Sequence, residues 1–487
     1  MNFPIIFYIV GYVIKLEGLL MLAPTLVGFC YRESAAWSYL LCAAVLFTAG
    51  LLITLKKPKN QTFYAREGFV SVALSWVVLS LFGCIPFMLT GDIPRFIDAF
   101  FEMVSGFTTT GSSIVADVDA LSRSTIFWRS FSHWIGGMGV LVFILSVLPL
   151  TGGSTMHLMR AESPGPQVGK IVPKVRNTSI ILYVIYTAMT VIQILLLLCG
   201  GMPAFDAITI SMGTAGTGGF SARSSGMADY SVFCQYVIAV FMLLFGVNFN
   251  VYFLAVRRHF KQALRCEEAR WYGLVIAAAT GLIFVNTLRM FDTVEETFRH
   301  ALFQVSTVIT TTGYATTDFN LFPEFSKAIL VLLMFIGACA GSTGGGIKVS
   351  RIVILAKSVL NEIAAILHPR TVKKVRLEGK SLDPATLRSV MVYLATYMLL
   401  FVGSLLLVSL DAFDGVSHFT AVAATINNIG PAMGAAGPMS NYAAFSDLSK
   451  FVFCFDMLVG RLELFPVLIL LAPQTWVRPA KRRVVQK

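Results

Sequence analysis

The sequence predicts an all-α polytopic membrane protein: four pseudosymmetric helix–pore loop–helix repeats around a central pore, with two further helices at the N-terminus. Three observations predict it. The composition is too apolar for water. The long apolar runs are of bilayer length. A short segment between those runs recurs four times.

Of the 487 residues, 56% are hydrophobic and 13% are charged. Soluble chains run at about 45–50% apolar and about 25% charged. So few charges cannot keep so much apolar surface in water, and lipid must cover part of it. The eight cysteines (30, 42, 84, 199, 234, 266, 339 and 454) show no metal-binding or redox spacing and read as small apolar residues. The six histidines form no HExxH-like pair. The N-terminal run lacks a basic leader and a cleavage site, so it reads as a retained helix.

A spanning helix needs about 20 mostly apolar residues. Ten runs qualify: 4–30, 35–55, 68–90, 126–150, 179–201, 230–256, 271–291, 326–360, 389–410 and 447–473. Between them lie four shorter stretches, 97–109, 205–217, 298–311 and 416–428, which predict buried or re-entrant helices. Most of the Lys and Arg fall in segments 56–66, 157–178, 257–270, 348–388 and 478–487. Ten spans put all five on one side, which the positive-inside rule makes cytoplasmic, with both termini. The short stretches then enter from outside, beside acids such as Asp98, Glu102, Asp292 and Glu295. The net charge of +12 is therefore mostly a topology signal, in part for anionic lipid, and calls for no nucleic acid.

The four short stretches align without gaps on a final glycine. They read DAFFEMVSGFTTTG to Gly111, DAITISMGTAGTGG to Gly219, HALFQVSTVITTTG to Gly313 and SHFTAVAATINNIG to Gly430. Six residues before each glycine stands a small residue: Ser105, Gly213, Thr307 or Ala424. Repetition of one unit in a membrane predicts pseudosymmetry about an axis, with the loops meeting on it. The implied units are 1–60 (two N-terminal helices), 61–178, 179–269, 270–383 (with a glycine-rich segment) and 384–487 (with a basic tail).

The residues before each glycine are uncharged: Thr109-Thr110, Thr217-Gly218, Thr311-Thr312 and Asn428-Ile429. Glycine lets a chain turn its carbonyls inward, and rings of carbonyls can replace the hydration shell of a bare cation. Short helices aimed at the axis would present their partly negative C-terminal ends to it. The pattern predicts a filter for a weakly hydrated monovalent cation; a ring of acids would be expected for a divalent one.

The motifs TTTGSS (108–113), TGGFSA (217–222), TTTGYAT (310–316), NNIGPAMG (427–434), GACAGSTGGGIKVSR (337–351) and GRLELFP (460–466) resemble the Trk/Ktr superfamily of potassium transport subunits. The two extra N-terminal helices make the chain similar to the Trk branch. The resemblance covers nearly the whole chain. It implies a potassium-selective pore in a bacterial inner membrane, with K+ as cargo and no catalytic cofactor. It also implies a homodimer and a cytosolic nucleotide-binding regulator.

Two further features bear on gating. Gly337, Gly341, Gly344, Gly345 and Gly346 interrupt one apolar run, and each costs a helix interior about 1 kcal/mol relative to Ala. A break follows, either a simple kink or, as the resemblance implies, a mobile segment under the filter that includes Lys348. The segment lacks the GxxxxGK[ST] pattern of a phosphate-binding loop. Arg461 lies within the last apolar run, where an ionisable group is costly. It reads either as an ion pair with Asp456 or Glu463, or as the arginine that the family places just below the filter. Arg129, His133 and Lys348 are weaker candidates, and Arg129 reads alternatively as marking the outer end of its span. Segment 348–388 is a solvated loop or a regulator docking surface.

No paired acids, metal cluster or nucleophile motif supports an enzyme. The competing reading is a Na+- or H+-coupled secondary transporter (a symporter), which would need charged residues at depth. Only Asp456, Arg461 and Glu463 qualify from sequence, and they share one run.

Overall fold

The computed structural model describes residues 1–59, 64–139, 175–369 and 374–476. Segments of the expected basic stretches, including Arg160, Lys170, Lys174 and the tail 478–487, lie outside the described residues. The described residues are mostly α-helical. A two-stranded antiparallel hairpin, β1 (Arg376–Leu377) with β2 (Lys380–Ser381), is an addition to the all-α expectation.

The N-terminal unit is α1 (Phe3–Leu20), α2 (Leu22–Tyr31) and α3 (Ala35–Thr54). Small residues let α1 and α3 approach closely, as expected for helices in lipid. A Cβ on Gly18 would stand 2.5 Å from the Phe47 amide nitrogen, and one on Gly50 would stand 2.5 Å from that of Lys15.

Four units follow. Each has a long first helix, a short pore helix, an extended segment and a second helix. The first helices are α4 (Ala65–Gly83) with its extension α5 (Ile85–Thr90), α8 (Val175–Cys199), α13 (Glu267–Thr287) and α17 (Pro384–Val408). The pore helices are α6 (Phe96–Phe107), α9 (Ala204–Gly216), α14 (Val294–Ile309) and α18 (Gly415–Ile426), each over a predicted short stretch. The second helices are α7 (Arg123–Gly137), α10 (Val232–Phe245), α15 (Glu324–Ile336) and α19 (Asp447–Arg461). In three of these, a serine hydroxyl (Ser122, Ser231 or Ser446) accepts an amide of the first turn and so fixes where the helix starts.

Among the described residues, six helices are long and apolar enough to cross a membrane, and seven if the bent pair α10 and α11 (Phe249–Val256) is one span. The other three predicted runs are second helices that stop early. Run 126–150 ends as a helix at Gly137, and its remainder from 140 lies outside the described residues. Run 326–360 splits into α15 and α16 (Val349–Leu367), and run 447–473 into α19 and α20 (Phe465–Leu471). The sequence predicted a break in the third repeat alone. In fact every second helix ends after 13–15 residues, at or beside a glycine: Gly137, Gly246, Gly337 or Gly460.

The repeats close into a ring. Each pore helix packs on its own second helix and on that of the preceding repeat: α9 on α7, α14 on α10, α18 on α15 and α6 on α19. The last contact joins repeat 4 to repeat 1 and completes the circle.

Candidate ion filter and gate

Each pore helix runs directly into the segment before its glycine. The residue before the glycine donates its amide hydrogen back to the small residue six before that glycine. Thr110 bonds to Ser105 O at 2.9 Å, and Gly218 to Gly213 O at 2.8 Å. Thr312 bonds to Thr307 O at 2.8 Å, and Ile429 to Ala424 O at 2.8 Å. The residue two before each glycine, and the glycine itself, are left-handed: Thr109 and Gly111, Thr217 and Gly219, Thr311 and Gly313, Asn428 and Gly430. A left-handed non-glycine residue costs about 1–2 kcal/mol. The same two strained positions in all four repeats therefore mark a shared backbone demand.

The four segments meet. A Cβ built on Gly111 would stand 1.9 Å from the carbonyl oxygen of Gly218, and one on Gly219 1.9 Å from that of Thr312. One on Gly313 would stand 2.3 Å from Ile429 O, and one on Gly430 2.6 Å from Thr110 O. Each glycine thus abuts the carbonyl just before the next repeat's glycine, and the fourth returns to the first. One cavity is lined by Gly111, Gly219, Gly313 and Gly430 together, with Arg129 and Tyr442 at its wall.

The quarters differ in side chains. The Thr108 and Thr110 hydroxyls bond at 2.8 Å, as do those of Thr310 and Thr312. In the fourth quarter, Asn428 Nδ2 donates to Thr110 Oγ1 and to Met457 O, both at 2.9 Å. The Gly430 carbonyl accepts from Tyr442 OH at 2.8 Å and from Ser112 Oγ at 3.2 Å.

Behind the first quarter lies a buried ion pair. Arg129 reaches Glu102 at 2.7 Å, and both side chains are almost wholly buried. Glu102 also accepts from Ser113 Oγ and from the Ile114 amide, both at 2.9 Å, just beyond Gly111. The Arg129 guanidinium lies 4.2 Å from the Phe220 ring centroid, linking repeats 1 and 2. His133 accepts the Phe220 amide on Nε2 at 3.3 Å, so its Nδ1 donates to Gly106 O at 2.8 Å. Arg129 is therefore one half of a buried ion pair between two helices, and buried charged groups are not confined to one run. Glu17, Glu67, Glu102, Arg129, Glu268, Lys348, Arg351 and Lys450 are all buried too.

The glycine-rich segment 337–348 leaves α15 and folds against the opposite face of the ring. The Gly345 amide donates to Thr311 Oγ1 at 2.6 Å, and the Gly346 amide to Asn427 O at 3.1 Å. Only a residue without a side chain fits here: a Cβ on Gly345 would stand 2.2 Å from Asn427 O. Gly341, Gly344 and Lys348 belong to the same loop, and the Lys348 ammonium bonds to the Gly344 carbonyl. Arg461 donates to Thr343 O at 2.8 Å and to Gly137 O at 2.9 Å, tying the loop to the ends of α7 and α19. Its two expected acidic partners are engaged elsewhere. Glu463 pairs with Arg351, and Asp456 accepts from Ser404 Oγ at 2.6 Å. A cavity beside the loop is lined by Gly344, Gly345, Gly346, Lys348, Arg461 and Trp76, among others.

Residues 38–477 match the family model described as TrkH, a cation transport protein. This chain belongs to the TrkH family. It is 35% identical to the Trk system potassium uptake protein TrkH of Salmonella typhimurium, over 98% of this chain and all of that one. It is 33% identical to TrkG of Escherichia coli K12, named likewise, over 97% and 98%. The crystal structure of the potassium transporter TrkH from Vibrio parahaemolyticus superposes with a TM-score of 0.88 at 33% identity, covering 98% of this chain and 100% of that one. The TrkH membership and the helices described above make this a multi-pass membrane protein.

Proposed function

We propose that this chain is the ion-translocating subunit of a bacterial potassium uptake system. The closed ring of four glycines, each against the next repeat's carbonyl, carries the reading. K+ sheds its water against the carbonyls of Thr109–Gly111, Thr217–Gly219, Thr311–Gly313 and Asn428–Gly430. The C-terminal ends of α6, α9, α14 and α18 run into these segments, and their partial negative charge favours a cation there. That the relatives are named as potassium uptake proteins supports the choice of ion.

In this reading the loop 337–348 is the gate. Its Gly345 and Gly346 occupy the face of the ring that an ion leaves, and Arg461 holds it there while opposing cations with its charge. Opening needs the loop to withdraw. The chain works as a homodimer in the inner membrane, with both termini cytoplasmic. A cytosolic nucleotide-binding subunit sets the loop's position from the basic side.

Rubidium uptake into proteoliposomes holding the purified chain tests this. Uptake blocked by potassium, not by sodium, and lost in Gly219→Asp supports it. Uptake indifferent to Gly219→Asp overturns the filter.

A second reading, coupled symport, draws on two buried acids. Both carboxylate oxygens of Glu17, and Oδ2 of Asp456, lack a hydrogen-bond partner. Strict dependence of rubidium uptake on a sodium or proton gradient would favour it.

A further inference from the structure

The glycine-rich loop has two ends, and one carboxylate holds both. Glu268, on the first turn of α13 and only 5% exposed, accepts the Ala340 amide at 2.7 Å and the Ser350 amide at 3.1 Å on a single oxygen. Ala340 enters the loop. Ser350 is the second residue of α16, which leaves it, and its amide is one that a helix start cannot satisfy internally. Glu268 therefore caps α16 from another helix. A buried carboxylate accepting amide hydrogens is among the stronger hydrogen bonds available.

The same device occurs one step nearer the basic side. The Glu378 carboxylate, in the exposed turn between β1 and β2, accepts the Glu267 amide at 2.8 Å and the Glu268 amide at 3.2 Å. It caps α13 as Glu268 caps α16. Lys357, two turns into α16, reaches the Glu267 carboxylate and donates to Arg376 O at 2.8 Å, closing the hairpin onto the start of α13 and the middle of α16. A hairpin with an exposed turn, a helix start and a buried loop are thus joined by two carboxylates in series.

We propose that Glu268 is a positioning residue that latches the glycine-rich loop against the filter, and that Glu378 in the hairpin sets the latch. The proposal rests on the loop being the gate. Moving the hairpin tilts the start of α13, draws Glu268 from Ala340 and Ser350, and frees the two ends of the loop together.

Cys339, buried beside Ala340, supplies a readout independent of ion flux. The full chain in proteoliposomes is treated with a water-soluble maleimide, alkylation at Cys339 is located by peptide mass spectrometry, and rubidium influx is measured per folded molecule. Removing two bonds to a charged acceptor should have a large effect, so E268A should raise both Cys339 alkylation and influx at least about tenfold. E268Q keeps an acceptor oxygen and should do less. E378A should act in the same direction and more weakly, and E268A/E378A should not exceed E268A. Unchanged Cys339 protection in a folded E268A protein overturns the latch. If E268A does not fold, unchanged protection in both E268Q and E378A overturns it equally. If Cys339 opens but influx does not rise, the latch stands and the loop is not the gate.

Discussion

The ring of filter segments and the layer beneath it follow opposite rules. In the ring, the same two left-handed residues and the same backbone hydrogen bond recur in all four quarters. In the layer beneath, the breaks in the second helices are unequal. Residues 246–248 suffice in repeat 2 and 462–464 in repeat 4, while repeat 3 inserts the whole of 337–348. Under the proposed function, an ion on the axis would need comparable ligands from every side, whereas a plug would need to fill the axis only once. Side chains follow the second rule even behind the ring: where repeat 1 has Glu102, the aligned residues are Ile210, Gln304 and Ala421.

The largest effect should come from that unequal support. Arg129→Met leaves Glu102 buried and unpaired, which costs about 3–5 kcal/mol. It should lower the melting temperature in detergent markedly, and Arg129→Met with Glu102→Leu should recover most of the loss. A double variant no more stable than the single would separate the pair from the stability of the ring.

Next come the ring glycines. Gly111→Ala and Gly219→Ala meet a carbonyl at 1.9 Å and a left-handed backbone. Strain of about 3 kcal/mol should reduce rubidium uptake roughly a hundredfold. Gly430→Ala, with its carbonyl at 2.6 Å, should lose less. Equal losses at all four positions would show that contact distance does not set the order.

The asymmetric layer should respond in the other direction. Deleting 342–345 should raise basal influx about tenfold, the effect of a gap near 1.4 kcal/mol between closed and open loop. Arg461→Ala should raise it less and admit more sodium. Influx that stays at the wild-type level in both would move the gate elsewhere.

The smallest change is within the fourth quarter. Tyr442→Phe removes one donor from the Gly430 carbonyl, worth about 1 kcal/mol. The potassium-to-rubidium preference should shift a fewfold with uptake otherwise intact, measured by competition. No shift would mean that this carbonyl does not face the ion.

The four short helices and the register of the four glycines were legible because their signals are local: twelve or so apolar residues, then threonine and glycine at fixed offsets. The five-glycine break was legible for the same reason. The breaks after Phe245 and Arg461 were not. Gly246 and Gly460 each look like a packing glycine, and the turn after Arg461 is made by left-handed Glu463 and Leu464, which are not glycines. The role of Arg129 stayed open in the sequence because its partner lies 27 residues earlier, on another helix. A sequence shows the cost of a buried charge before it shows the compensation. Glu268 was hidden differently: an acid in the first turn of a span looks like ordinary dipole complementarity.

The closed circle of glycines comes from one polypeptide, and this has an evolutionary consequence. In a pore assembled from four identical chains, any substitution enters the ring four times at once. Here each substitution enters once, so under the proposed function one quarter can drift while the other three still offer their carbonyls. Asn428 beside three threonines at the matching positions is what such independent drift would leave behind.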